Sequence, residues 1–245
     1  MKALLAAEFL KLRTTRTIWV LLGVIIAVTA LSVAAAVAGV GPRKLDLETE
    51  DGIRAVLHVA GSGAIFVLML GIIITAGEYR QGTAVDTFLT TPRRIRVLVA
   101  KLMTSMSAGV VFGAMATGVA VLTASLAYAF KGLELPLGMG LAWQILVGAV
   151  IYAALFGGLG ASIGSLIRNQ VAAIIGTVAV VIIAEPMVFV ISPGVGRWLP
   201  AALGRAVVSD PGGEFLSQPA AGVMLFLYVA VIMIVAGGIE RRRDA

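Results

Sequence analysis

Groups able to do covalent chemistry are scarce in this chain. It has no cysteine and a single histidine, His58. That excludes disulfides, thiolate metal centres and a cysteine nucleophile, and it leaves no His/Asp/Glu cluster with metal-ligand spacing. One segment, Gly160-Ala161-Ser162-Ile163-Gly164, matches the G-x-S-x-G pattern of serine hydrolases. A nucleophilic serine needs a base beside it, and His58 is the sole candidate. The two fall near opposite ends of different apolar segments, on the order of 25 Å apart across a bilayer core. The match is chance in a Gly/Ala/Ser-rich helix, and no catalytic residue is expected. His58, four residues after Arg54, is read as an interfacial residue on the outer face. The acid that stands out is Glu185, alone deep in an apolar segment and followed by Pro186. A carboxylate at such depth costs about 2.5–3.5 kcal/mol and normally faces the bundle interior or water. Pro186 removes a backbone donor and frees a carbonyl one turn earlier, so a kink is expected there. Two roles stay open for Glu185: a group on a substrate path, or a protonated carboxyl bonded to a neighbouring helix.

The elements that must position these residues are membrane helices. Of 245 residues, 60% are hydrophobic and 13% charged, with a mean hydropathy of +1.03. A soluble domain carries about 25% charged residues to cover its surface. Six segments are long and apolar enough to cross a bilayer: 18–39, 53–76, 103–130, 141–163, 171–192 and 220–239. The first is too long for a cleaved signal core and reads as an uncleaved anchor. The expectation is an all-α polytopic protein, a single transmembrane domain over 1–245. Lys and Arg divide 13 to 6 between the two sides when both termini are cytoplasmic, which sets that orientation. The net charge of +6 follows from the same bias and does not point to nucleic acid.

Residues 2–16 read as a helix along the inner membrane face, with Leu5, Phe9 and Leu12 on one side and Lys11 pointing away. Residues 193–219 are too apolar for a free external loop, so short interfacial or re-entrant helices are expected there. Spans three and four carry small residues at every fourth position, namely Ser105, Gly109, Gly113 and Thr117, then Gly160 and Gly164, with Gly157 and Ala161 as a second pair. That spacing favours close helix packing.

The longest cytoplasmic link, Gly77 to Leu102, carries the most suggestive pattern. Thr83 can cap a short helix, with Asp86 in the capping-box position. Ala84, Val85, Phe88 and Leu89 form one apolar patch, and Pro92 stops the run before Arg93, Arg94 and Arg96. A soluble partner could grip such a helix, or it could rest on lipid.

With these residues in place the chain resembles the membrane subunits of type-2 ABC exporters, the bacterial drug, antibiotic and lipid-export permeases. The resemblance rests on Ala7-Glu8-Phe9-Leu10-Lys11-Leu12-Arg13 before the first span, Glu78-Tyr79-Arg80-Gln81-Gly82-Thr83 after the second, Thr91-Pro92-Arg93-Arg94, and Lys101. It implies that segment 78–92 is a coupling helix docked on an ATP-binding subunit, with Glu78, Arg80, Gly82, Thr83, Asp86, Phe88 and Leu89 as coupling residues. It further implies two copies of that subunit, a second permease copy (identical or related), and a path lined by spans two and five near Glu185 and Pro186. Export of a drug, antibiotic, peptide or lipid across the bacterial plasma membrane by alternating access would follow. The chain has no G-x-x-x-x-G-K-[ST] loop, so ATP and magnesium belong to the partner and no cofactor is bound here. The alternatives are a proton-coupled transporter using Glu185 and a non-transporting assembly protein.

Overall fold

The computed structural model describes residues 2–40, 46–81, 94–135, 140–208 and 215–242. The elements are α1 (Lys2–Thr14), α2 (Arg16–Ala38), α3 (Glu50–His58), α4 (Ala64–Gln81), α5 (Arg94–Phe130), α6 (Gly140–Leu166), α7 (Gln170–Ala179), α8 (Glu185–Ile191), α9 (Pro193–Gly196), α10 (Pro200–Val207) and α11 (Gln218–Arg242). Among the described residues there are no strands. A helix satisfies its backbone within itself, the only economical solution for an open chain in hydrocarbon. Six helical stretches are long and apolar enough to cross a membrane, from Arg16–Ala38 to Gln218–Glu240.

Local chemistry ends these helices where the hydropathy does. The hydroxyls of Thr14 and Thr15 donate to the carbonyls of Leu10 and Lys11, closing α1 before α2 begins. Gly39, at φ 77, closes α2 in the left-handed conformation with its N–H on Ala35 and Ala36. The Lys131 ammonium donates to the Val37 carbonyl in that same last turn, a favourable place for a cation. Thr49 caps α3 by accepting from the Gly52 N–H at 3.2 Å.

The second span is not one continuous α-helix. Between α3 and α4 the chain tightens into a 3-10 turn over Val59–Gly63. Gly61 and Gly63 lie there against Val208, Tyr152 and Ile25, and a Cβ on Gly63 would come within 2.9 Å of the Ile25 side chain. The tighter turn and the missing side chains let α2 come close. The fifth span is likewise interrupted. Ahead of Pro186 the helix widens into a π turn over Val180–Ala184, with the Glu185 N–H on the Val180 carbonyl. The missing Pro186 donor is thus absorbed by a change of register.

Helix α6 is the hub: 83% of its most apolar window is buried, against 6% for the span Gln170–Ile191. Small residues make this centrality feasible. A Cβ on Gly160 would stand 2.0 Å from the Leu68 carbonyl oxygen of α4, and one on Gly164 would stand 2.1 Å from the Thr75 hydroxyl. On the other side of α6, a Cβ on Gly109 of α5 would lie 2.6 Å from the Ala153 oxygen, and one on Gly113 would lie 2.8 Å from the Ala153 Cβ. Helices α4 and α5 therefore touch α6 backbone to backbone. Gly118, by contrast, faces open space.

These contacts predict an asymmetric response to one methyl group. Gly160→Ala must push two backbones apart and should cost about 1–3 kcal/mol, read as a lower thermal midpoint in detergent. Gly118→Ala should leave the midpoint unchanged or slightly raised. Equal midpoints for the two variants would contradict the packing.

Candidate functional site

Four charged side chains close into a ring at the end of the bundle that carries α1. Glu8 and Lys11 lie one turn apart on α1, Glu78 stands in the last turn of α4, and Lys101 stands two turns into α5. The Lys11 Nζ is 2.8 Å from Glu8 Oε1 and 2.7 Å from Glu78 Oε1. The Lys101 Nζ is 3.2 Å from Glu8 Oε2 and 2.7 Å from Glu78 Oε1. Each carboxylate touches both ammoniums, so the signs alternate around the ring and the charges sum to zero.

Burial differs sharply among the four. Side-chain exposure is 2% for Glu8, 6% for Lys101, 12% for Glu78 and 49% for Lys11. A buried carboxylate or ammonium is tolerable only when paired and hydrogen-bonded. Burial alone would pull the Lys11 pKa down, but hydrogen bonds to Glu78 and Glu8 and the charges of both more than reverse that, holding it above its ordinary value.

The location of the ring matters more than its strength. Helix α4 leads into residues 82–93 and α5 leads out of them, so Glu78 and Lys101 flank that segment. The ring fastens both flanks to each other and to α1. Of the residues singled out for coupling, Glu78 is a ring member and Arg80 lies on α4 with its side chain not described. Gly82, Thr83, Asp86, Phe88 and Leu89 lie outside the described residues. Lys11, which the sequence set on the side of α1 away from Leu5, Phe9 and Leu12, is half exposed. It turns into the ring because Glu8, not Leu5 or Phe9, is the buried residue of α1. Sequence reading missed the ring because its members are 67 and 93 positions apart along the chain. The signal was present all the same: Glu8, Lys11, Glu78 and Lys101 come from three separate stretches that carry the family resemblance.

A second ion pair joins helix ends. Arg168, in the link between α6 and α7, lies 2.6 Å from Glu240, whose side chain is 4% exposed, near the end of α11. Asn169 beside it caps α7 through the Ala172 N–H.

At the far end of span five, Glu185 is buried, and its Oε2 accepts from the Ala201 N–H at 2.6 Å. Ala201 is in the first turn of α10, where backbone donors lack helical partners. Glu185 therefore tethers span five to the short helices that occupy 193–208. Arg205 of α10 sits 5.1 Å from the Phe215 ring and 6.0 Å from the Phe189 ring, and those rings stack at 5.0 Å. Pro186 follows the π turn, in the first turn of α8. The Ser162 hydroxyl donates to the carbonyls of Gly158 and Val229 at 2.9 and 3.2 Å, linking α6 to α11. His58 ends α3 and lines a cavity of about 370 Å³ with Tyr152 and Arg205. Among the described residues no group of three His, Asp or Glu could hold a metal.

Two predictions follow from this geometry. Lys101→Met removes the buried ammonium and leaves two carboxylates to share Lys11 alone, which should cost about 3–5 kcal/mol, whereas Lys11→Met, half exposed, should cost about 1 kcal/mol or less. Thermal midpoints of the purified variants test the order, and a reversed or equal ranking would refute the ring. Glu185→Gln retains an oxygen for the Ala201 N–H and should fold as the parent does. Glu185→Leu should lose about 1–3 kcal/mol and expose the α10 segment to limited proteolysis; resistance equal to that of the parent would remove the tether.

Comparison with known proteins agrees with the geometry. No curated protein matches the chain. The family described as ABC-2 family transporter protein matches residues 4–185, which is well over half of the chain and includes all four ring residues. A permease component of this family transports and is not itself the ATPase. This multi-pass membrane protein therefore belongs to the ABC-2 transporter family, as a permease subunit.

Proposed function

We propose that this chain is the permease half of an ATP-driven exporter that moves a hydrophobic or amphipathic compound (a drug, antibiotic, peptide or lipid) out of a bacterial cell. ATP is hydrolysed, with magnesium, on a separate subunit present in two copies, and that subunit docks on segment 78–92. The Lys and Arg asymmetry supports placing this segment and both termini in the cytoplasm. A second permease copy is supported by span five, in which only Ala173 and Glu185 are buried. So large an apolar face needs either lipid or a partner.

The observation that carries the proposal is the ring. A push delivered to residues 82–93 reaches two helix ends at once. Because Glu78 and Lys101 share partners with α1, those ends move together with α1 rather than sliding apart. Helices α4 and α5 both bear on α6 through backbone contacts at Gly160, Gly164, Gly109 and Gly113. Close-packed interfaces of this kind shift as bodies and do not deform smoothly. Displacement at the segment thus becomes a tilt of α4 and α5 against neighbouring spans, the motion alternating access requires. A proton-coupled reading would need Glu185 to load and release protons in the path. Its bond to the Ala201 N–H supports an anchoring role instead.

Replacing both Phe88 and Leu89 by Ala should abolish co-purification of the ATPase and its stimulation by substrate, with the thermal midpoint of the permease unchanged because the ring is untouched. Wild-type recovery of the complex from that variant would refute docking on this segment.

A further inference from the structure

A cavity of about 550 Å³ opens beside the ring, between α1, the start of α2, the end of α4 and the start of α7. That volume is within the ~300–1,000 Å³ usual for sites that enclose small molecules. Its apolar side is formed by Leu12, Ile18, Leu70, Ile73 and Ile74, and its polar side by Glu8, Lys11, Glu78 and Gln170. We infer that this cavity binds amphiphilic amines, with an ammonium head among Glu8, Glu78 and Gln170 and an alkyl or aryl body along the aliphatic wall.

The ring is neutral as a whole, so the head group is selected by which of its atoms line the cavity and stay free to accept. Two carboxylates and one ammonium line the cavity, while Lys101, the fourth ring member, does not. Both lysines bond Glu78 through the same atom, Oε1, at 2.7 Å. Among the described contacts, Oε2 of Glu78 is thus the carboxylate oxygen left to accept from a ligand. The Gln170 side-chain Oε1 stands 3.8 Å from where a Cβ on Gly77 would be, and Gln170 lines the same cavity. A head with several N–H donors satisfies both acceptors. A sulfate or carboxylate head would instead face two carboxylates and a Lys11 ammonium already shared between them. The same chemistry is offered by a bilayer lipid, phosphatidylethanolamine, and by an exported cationic amphiphile. Only the second source rests on the exporter reading; binding itself does not.

The test is photolabelling of the purified permease in phosphatidylcholine nanodiscs with diazirine-bearing dodecylamine or dodecyl sulfate, normalised to labelling of lipid-facing α11. The amine should label the Leu12–Ile18 and Leu70–Ile74 peptides about tenfold more than the sulfate does. Ile73→Trp, which fills the cavity, should suppress that labelling. Equal labelling by both probes, or amine labelling confined to other peptides, overturns the site on the wild-type protein alone. Suppression by added phosphatidylethanolamine supports the site with lipid as occupant. ATP-dependent accumulation of the amine in inside-out vesicles holding the full complex, without such suppression, supports it with cargo as occupant. Selective labelling alongside failed ATPase docking would refute the exporter reading and leave the site standing.

Discussion

Charge neutralisation among Glu8, Lys11, Glu78 and Lys101 is the constraint on which the rest of this fold depends. Three of the four are mostly buried at one end of an apolar bundle, where an unpaired charge would either lose its proton balance or drag water inward. Glu78 and Lys101 each reach two counter-charges only when α1, α4 and α5 come together. Helix α1 contributes one carboxylate and one ammonium, α4 a carboxylate, and α5 an ammonium. The position of α1, the separation of the ends of α4 and α5, and hence the span that residues 82–93 must bridge, are all set by the same contacts.

The opposite end of the bundle is fastened by different means. There single polar side chains hold backbone groups: Lys131 on the Val37 carbonyl, Tyr128 on the Leu47 carbonyl at 3.1 Å, and Glu185 on the Ala201 N–H. Between the two ends α6 meets its neighbours through glycine, alanine and aliphatic surface, together with the buried rings of Tyr152 and Phe156 and the Ser162 bond to α11. The contrast has a mechanical meaning. On the proposed exporter reading, the ion-paired flanks would move as one piece while the small-residue interfaces let helices shift against each other. Span five is the exception, packed mainly along α4 and otherwise turned outward.

Much of the architecture was legible in the amino-acid order. Six spans follow from hydropathy because lipid demands self-satisfied backbone over about 20 residues. The four-residue recurrence of Gly109 with Gly113 and of Gly160 with Gly164 marked surfaces that the structure places against α6 and α4. The break at Pro186 was foreseen as a kink and is found as a π turn, a difference that turns on which carbonyl finds a new donor. The interruption at Val59–Gly63 was not anticipated, since Gly61 and Gly63 matter through what packs on them and not through local propensity. The ring was hidden for a related reason. Hydrophobic periodicity on α1 marked Leu5, Phe9 and Leu12 as a side turned to the membrane and was silent on Glu8, which long-range pairing buried. No local rule reports a partner 93 residues away. Glu185 was recognisable as costly, but its partner, a backbone N–H in a short helix, carries no side-chain signature.

The decisive measurement compares two charge-reversed variants by thermal midpoint and by recovery of the ATPase complex. Exchanging only Glu78 and Lys101 (Glu78→Lys with Lys101→Glu) would rescue an isolated ion pair. In a closed ring it sets lysine against Lys11 and glutamate against Glu8, so the account predicts a protein that is destabilised and fails to hold the ATPase. Reversing all four, with Glu8→Lys and Lys11→Glu added, restores the alternation and should recover both properties. A double reversal that behaves like the parent, or a quadruple reversal no better than the double, would contradict the four-membered ring as the element that fastens the flanks of residues 82–93.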